Sequence, residues 1–244
     1  FKDYEKVLYL DCDLIVNCDV REIFEIDLKD NIIAASIETV TLDIKNSINK
    51  RIKSFNLKPE NYFNSGVLLF DINKSREFNL FEKCIENISK YKNLFYPDQT
   101  VLNFVCKDNF HHLDLKYNFQ WQTAFDYDNF IKNIDEKYAN AINNAIKNPK
   151  IIHYTSRTKP WNSIKRKQYL AHYFWKYARL TPFYEIILFK MFASVEEEYK
   201  KITKLELLNC KIKSKIPWKK QDYYRKKYMN LKEKIRIYEE LKDV

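Results

Sequence analysis

Apolar residues cluster along this chain in two rhythms. Short apolar runs at Val7–Leu10, Ile32–Ile37 (interrupted only by Ser36), Val67–Phe70 and Ile151–Ile152 read as strands. Four apolar residues in a row from Val7 predict a strand buried on both faces, as in a parallel sheet. From Ser75 the spacing changes to three, four and three residues, at Phe78, Phe81, Ile85 and Ile88, which predicts one helix ending near Tyr91. A second helix is expected from Pro97, a residue suited to the first helical position. Residues 129–149 repeat Asn, Ala, Ile and Lys in a helical manner. Asp19 is placed to cap a short helix over Val20–Phe24. His112-Leu113-Asp114-Leu115 reads as a short strand running into an aromatic-rich loop, and residues 38–60 as loop with irregular helix.

Polar residues that end these runs carry the candidate chemistry. Asp11 and Asp13 follow the first strand, and an i, i+2 spacing in extended chain puts both carboxylates on one face. Together they suit a hard divalent cation such as Mg²⁺ or Mn²⁺, while a strand ending in a polar turn explains them too. Ligands in open α/β sheets bind beyond the carboxyl ends of strands, where this pair would emerge. Gly66 sits in the polar trio Asn64-Ser65-Gly66 before an apolar run; close backbone approach to a ligand, a β-bulge or a tight turn would each account for it. Asp98 and Gln99 fall in the first turn of the Pro97 helix, where an acid also complements the helix dipole. His153 closes a strand, either as a hydrogen-bonded structural residue or as a third metal ligand. Lys159, in the basic loop 155–161, is placed to neutralise phosphate as a point charge. A strand-end acid pair, a strand-end histidine and a basic loop are what a cation bridging a diphosphate requires.

Composition bounds this picture without deciding it. The chain has 244 residues, 45% of them hydrophobic, enough for a sizeable core. No run of about 18 apolar residues occurs, since Glu185 and Lys190 interrupt the best candidate, so no spanning helix is expected. The start has neither an initiating Met nor the pattern of a signal peptide. Five scattered cysteines without a C-x-x-C pair favour reduced thiols in a cytoplasmic setting. Gly66 is the single glycine, against an average usage of about 7%.

The net charge of +10 is uneven: residues 162–244 hold 21 Lys and Arg against 10 Asp and Glu, and the rest of the chain is close to neutral. This divides the sequence into a body, residues 1–161, and a basic, aromatic-rich helical extension, residues 162–244, that carries Tyr173, Phe174, Trp175, Phe183, Trp218 and Tyr228 among others. Cationic helices with interfacial aromatics suit an anionic bilayer surface, and a solvated basic helical tail or coiled coil explains them equally. No nucleic-acid recognition motif accompanies the charge, so nucleic acid is not an expected partner.

Four motifs, in order, carry a resemblance: Tyr9-Leu10-Asp11-Cys12-Asp13, Phe63-Asn64-Ser65-Gly66-Val67, Pro97-Asp98-Gln99 with Leu102-Asn103, and His153-Tyr154 with Lys159-Pro160-Trp161. Over residues 4–161 the chain resembles the family 8 glycosyltransferases, particularly the bacterial lipopolysaccharide galactosyl- and glucosyltransferases. The resemblance implies an α/β fold of the GT-A, Rossmann-like type. It implies transfer of a hexose from a UDP-sugar, with retention, to a saccharide or glycolipid acceptor, with Mn²⁺ or Mg²⁺ bound, by an enzyme in the cytoplasm or peripheral on the inner face of its membrane. Asp11 and Asp13 then match the D-x-D metal ligands and His153 the third. The Cys12 backbone would lie near the ribose, Lys159 at the phosphates, and Asn64, Ser65 and Gly66 around the donor sugar. Asp98 and Gln99 match the pair beneath the reacting carbon. Ser156 stands at a donor-binding position where the family usually has glycine. The family's first strands and helices precede the D-x-D strand, and here only Phe1 to Lys6 do, so the chain is expected to lack the N-terminal βαβ portion of the fold.

Two rivals remain at this level. A haloacid-dehalogenase-like phosphatase also has D-x-D after an apolar strand, though its second Asp is normally followed by a small residue and then Thr or Val, where this chain has Leu14-Ile15. A catalytically incomplete glycosyltransferase-like module that binds sugar or a partner is the other.

Overall fold

The computed structural model describes residues 3–43, 45–90, 94, 96–124, 127–156, 158–162, 170–200, 204–215 and 221–242. The expected helix end at Tyr91, the basic-loop residue Arg157 and the tail aromatic Trp218 lie outside them. Two compact units divide the chain, Phe1–Lys159 with Arg166–Trp175, and Pro160–Lys165 with Lys176–Val244.

The first unit is mixed α/β. Strands β1 (Lys6–Leu10), β2 (Leu14–Val16), β3 (Ile33–Ile37) and β4 (Phe63–Asp71) are joined by helices α1 (Arg21–Phe24) and α2 (Ile48–Ser54) and two short 3₁₀ turns. Helices α3 (Ile72–Glu77), α4 (Leu80–Lys90) and α5 (Pro97–Cys106) follow, then β5 (Phe110–His112), β6 (Phe119–Gln120), α6 (Tyr127–Ile131), α7 (Glu136–Lys147) and β7 (Ile151–His153). One sheet has the order β1-β4-β3-β5 and the other β2-β7-β6.

β1 differs from expectation. It runs antiparallel to β4 at the edge of the four-stranded sheet, and Tyr9 is 47% exposed. An apolar run signals burial but not the direction of its neighbour, and β1 has a partner on one side only among the described residues. The doubly buried strands are β3 and β4 at the centre. Ala34, Val67 and Leu69 pack with Ile23 and Ile151 on one face, while Ile33, Ala35, Phe63 and Leu68 pack with Cys106 and Phe110 on the other. The period-2 alternation of β4 thus feeds two cores.

The helix expected from Ser75 to Tyr91 is two helices. The chain breaks at Phe78-Asn79, where Asn79 adopts a left-handed conformation with φ 56°. Only Phe78 of the apolar stripe joins the core; Phe81, Ile85 and Ile88 are exposed. The expected cap is shifted: Val20 is the N-cap of α1 and makes no side-chain cap hydrogen bond, while Asp19, one residue earlier, accepts from Arg21 N at 3.0 Å and so orders the turn that leads into the helix.

α5 is fastened to β4 by Asn103, whose side-chain amide imitates a strand. Its Oδ1 accepts from Phe63 N and its Nδ2 donates to Phe63 O, both at 2.8 Å. This holds the second turn of α5 against the start of β4.

In the second unit, α9 (Tyr184–Lys200), which follows α8 (Ala171–Ala178), is accompanied by α10 (Lys204–Lys213) and α11 (Gln221–Lys242). Cys210, Met191 and Leu231 are buried, and Lys227 pairs with Glu206 at 2.8 Å. Phe183, Ile186 and Phe189 are exposed. No helix among the described residues is long and apolar enough to cross a membrane.

Candidate metal centre and cavity

The segment Asp11–Asp13 links the two sheets. Asp11 N donates to Gly66 O at 2.9 Å, extending the β1–β4 ladder by one residue, and Asp13 O accepts from Tyr154 N at 2.9 Å, opening the β2–β7 ladder. Leu14 is paired with His153 in that second ladder. Backbone register therefore carries His153 to the acid pair across 140 residues of sequence.

Ligand atoms of Asp11, Asp13 and His153 lie within 4.8 Å of one another. His153 Nε2 is 3.1 Å from Asp13 Oδ1 and 3.4 Å from Asp11 Oδ2. Two carboxylates and one imidazole, partly open to solvent on the acid side, form a donor set that fits a hard divalent cation with free coordination positions. Around it, Tyr9 donates its hydroxyl to Asp11 Oδ1 at 2.8 Å, and the Lys159 ammonium engages Asp13 Oδ2 and the Tyr154 carbonyl. The oxygens of Asp13 are thus divided, Oδ1 toward His153 and Oδ2 toward Lys159.

Charge states follow from these contacts. The His153 hydrogen bond holds the Asp11 carboxyl below the usual carboxylate range against the effect of burial, with help from Tyr9. Burial would push Asp13 up, but hydrogen bonds from His153 and Lys159 outweigh it and hold Asp13 at about 2. Burial favours a neutral His153, yet the two carboxylates prevail and raise it.

Gly66 lies beneath the imidazole. Its φ is not positive, so a left-handed turn does not explain it, while the β3–β4 register shifts across residues 64–67, as the β-bulge reading expected. Space also explains the glycine: a Cβ there would overlap the His153 ring and come 2.9 Å from Asp11 Oδ2. The close approach admitted by this glycine is to the ligand histidine, and Asn64, Ser65 and Gly66 are part of β4 rather than a loop before it.

A cavity of about 230 Å³ opens beside the cluster, smaller than the roughly 300–1,000 Å³ of a site for a drug-sized ligand. Asp11, Asp13, Asn64, Ser65, Asp98, Gln99, His153 and Ser156 all line it. Asp98 accepts from Ser65 Oγ at 3.1 Å, and Gln99 Oε1 accepts from Ser65 N at 3.1 Å. Ser156 adopts φ 73°, a conformation that glycine takes without penalty. Of the remaining expected residues, Lys159 reaches the centre through Asp13, whereas the Cys12 side chain is exposed and is not among those that line the cavity.

Glu38 and Asn118 belong to this site and were not expected from the sequence. Glu38 is 3% exposed; its Oε2 accepts from Asn64 Nδ2 at 2.9 Å and from Gln99 Nε2 at 3.2 Å. Burial raises its pKa, and those hydrogen bonds offset only part of the effect. Asn118, fully buried, bridges Asn64 and His153. The available signal was a polar residue directly after an apolar strand in one case and amid aromatic residues in the other. Thr155 also lines the cavity, with a buried Oγ1 that has no partner among the described residues.

Comparison with known proteins bears on the same residues. The family described as Glycosyl transferase family 8 matches residues 1–165. Glycosyltransferase GlyE of Streptococcus pneumoniae serotype 4 is 31% identical over 218 residues, 86% of this chain and 46% of that protein. The lipopolysaccharide 1,2-glucosyltransferase of Escherichia coli K12 is 29% identical over 162 residues, 65% of this chain and 44% of its own length. The chain thus spans less than half the length of these two curated relatives. The crystal structure of galactosyltransferase LgtC in complex with donor and acceptor sugar analogs is 26% identical, with a TM-score of 0.60 over 74% of this chain and 63% of that one. The likeness extends to the fold, which is of the GT-A type, and it leaves the phosphatase reading without support. With more than half of its length matched by the family model, this chain belongs to glycosyl transferase family 8.

Proposed function

We propose that this chain is the catalytic portion of a metal-dependent hexosyltransferase. It takes a hexose from a UDP-sugar, with retention, and transfers it to a saccharide of a lipopolysaccharide or lipooligosaccharide core. The convergence of Asp11, Asp13 and His153 on one point at the mouth of a polar cavity carries the reading. A relative that is a lipopolysaccharide 1,2-glucosyltransferase and a structural neighbour that is a galactosyltransferase bound to donor and acceptor sugar analogs support the substrate class.

Asp11, Asp13 and His153 would hold Mn²⁺ or Mg²⁺. Bound there, the cation would offset the negative charge that grows on the leaving diphosphate. Lys159 holds Asp13 Oδ2, leaving Oδ1 toward the cluster, and would add a positive charge to the side of the site where the phosphates bind. Asn64, Ser65 and Asp98 offer the donors and acceptors that orient sugar hydroxyls. Gln99 is a neutral amide and a poor nucleophile, so a covalent adduct on it is not part of the proposal. Its Oε1, fixed by Ser65 N, instead faces developing positive charge at the anomeric carbon. The acceptor hydroxyl adds on the face from which the diphosphate departs: the new C–O bond forms as the old one breaks, and the hydroxyl proton passes to the leaving phosphate.

Residues 1–161 would carry this chemistry, with 162–244 as an extension that meets an anionic membrane surface from the cytoplasmic side. Its net charge of +11 and the exposed Phe183, Ile186 and Phe189 support that part. Deleting residues 205–244 should reduce co-sedimentation with anionic liposomes, and undiminished binding would remove this element. The activity itself is tested by Mn²⁺-dependent release of UDP from UDP-hexoses by the intact protein. Turnover that Asp13→Ala abolishes is expected; no turnover of any UDP-hexose, or full turnover by Asp13→Ala, would overturn the reading.

A further inference from the structure

Two buried amides connect the backbone of β4 to the ring of His153. Asn64 Oδ1 lies 2.9 Å from Gly66 N and 2.9 Å from Asn118 Nδ2, and Asn118 Oδ1 lies 3.0 Å from His153 Nδ1. Asn64 is 5% exposed, Asn118 0% and His153 3%, so water does not compete for these bonds.

The direction of each bond follows from the first. A main-chain N–H can only donate, so the atom that Asn64 turns toward Gly66 is its carbonyl oxygen. Its amide nitrogen then faces Glu38, whose carboxylate can only accept when ionised, at 2.9 Å. The second lone pair of Asn64 Oδ1 takes a hydrogen bond from Asn118 Nδ2, which leaves the Asn118 carbonyl facing the ring. A carbonyl has no proton to give, so the ring atom opposite must supply one. Turning either amide over would set donor against donor or acceptor against acceptor in a space closed to water, a heavy cost.

We propose that Asn118, held in one orientation by Asn64 and the Gly66 amide, is a positioning residue that keeps a proton on His153 Nδ1 and thereby reserves Nε2 as the ligand atom. The consequence is specific to this site. Asp11 and Asp13 both face Nε2, and without the relay they would draw the neutral ring's single proton onto that atom, presenting N–H where a cation must bind. Gly66 acts at both ends, clearing space for the ring by lacking a Cβ and starting the relay with its N–H. The purpose given to Nε2 rests on the metal-site reading above; the position of the proton does not.

Two-bond ¹H–¹⁵N spectra of the intact protein labelled with ¹⁵N-histidine, metal-free and at alkaline pH where the ring is neutral, test this directly. The His153 signals are identified by their loss in His153→Gln. Wild type should show a protonated Nδ1 and an unprotonated Nε2; the opposite pattern overturns the proposal without any variant having to fold. Asn118→Leu should lose the fixed Nδ1 proton and raise the Mn²⁺ dissociation constant, read from the electron paramagnetic resonance of free Mn²⁺, by about 10–100-fold. An unchanged ring pattern in Asn118→Leu overturns the relay. A protonated Nδ1 in a wild-type protein that binds no Mn²⁺ supports the relay and overturns the metal-site reading instead.

Discussion

The backbone of Gly66 runs directly under the imidazole of His153, and any side chain at 66 would occupy the space of that ring. Gly66→Ala therefore displaces His153 or bends β4. Overpacking of this kind costs about 1–3 kcal/mol. Denaturant unfolding should register that loss, and Mn²⁺ binding should weaken with it; wild-type stability and affinity in Gly66→Ala would mean that the ring has another place to go.

Glu38 predicts an opposite pH trend to that of ordinary carboxylates. Burial makes the folded protein hold the Glu38 proton to higher pH than the unfolded chain, where Glu titrates at about 4.3. The folded state thus binds that proton more tightly. The associated stability is complete below about pH 4.3 and is lost as pH rises through the raised folded value. Glu38→Gln retains an oxygen to accept from Asn64 and Gln99 but does not ionise. Its stability relative to wild type should therefore improve as pH rises through this window, in denaturation curves taken at matched pH. A difference that does not vary with pH would contradict the account.

Ser156 predicts a gain. A left-handed conformation costs a non-glycine residue roughly 1–2 kcal/mol, part of which glycine gives back through the greater freedom of its unfolded chain. Ser156→Gly should raise stability by up to about 1 kcal/mol, visible as a higher unfolding midpoint, whereas a lower midpoint would show that the serine side chain makes a contact worth more than the strain.

Local signals made some of this site legible in the sequence. Asp11 and Asp13 follow an apolar run, His153 ends one, and Asp98 and Gln99 sit behind Pro97; each was visible within a few residues. Pairing was not visible in the same way. Val7–Leu10 has the composition of a doubly buried strand, yet β1 has β4 on one side only among the described residues, because hydrophobicity does not encode which neighbour arrives or in which direction. The stripe Phe81, Ile85, Ile88 reads as a buried face and is exposed, since after the break at Asn79 it is Leu80 of α4, and not this stripe, that meets the core holding Phe78. Glu38 and Asn118 lie 26 and 54 residues from Asn64, and only the register of β3, β4 and β7 and the turn before β6 bring all three together. Local periodicity contains no trace of that meeting.

The central claim is that Asp11, Asp13 and His153 form one divalent-cation site serving a nucleotide diphosphate. Titration of the intact protein with Mn²⁺, with and without UDP, followed by the electron paramagnetic resonance of free Mn²⁺, tests it most directly. The account predicts one site whose affinity rises when UDP is added and which is lost in Asp11→Asn, Asp13→Asn and His153→Gln alike. Mn²⁺ binding that is indifferent to UDP, or that survives all three substitutions, would contradict it.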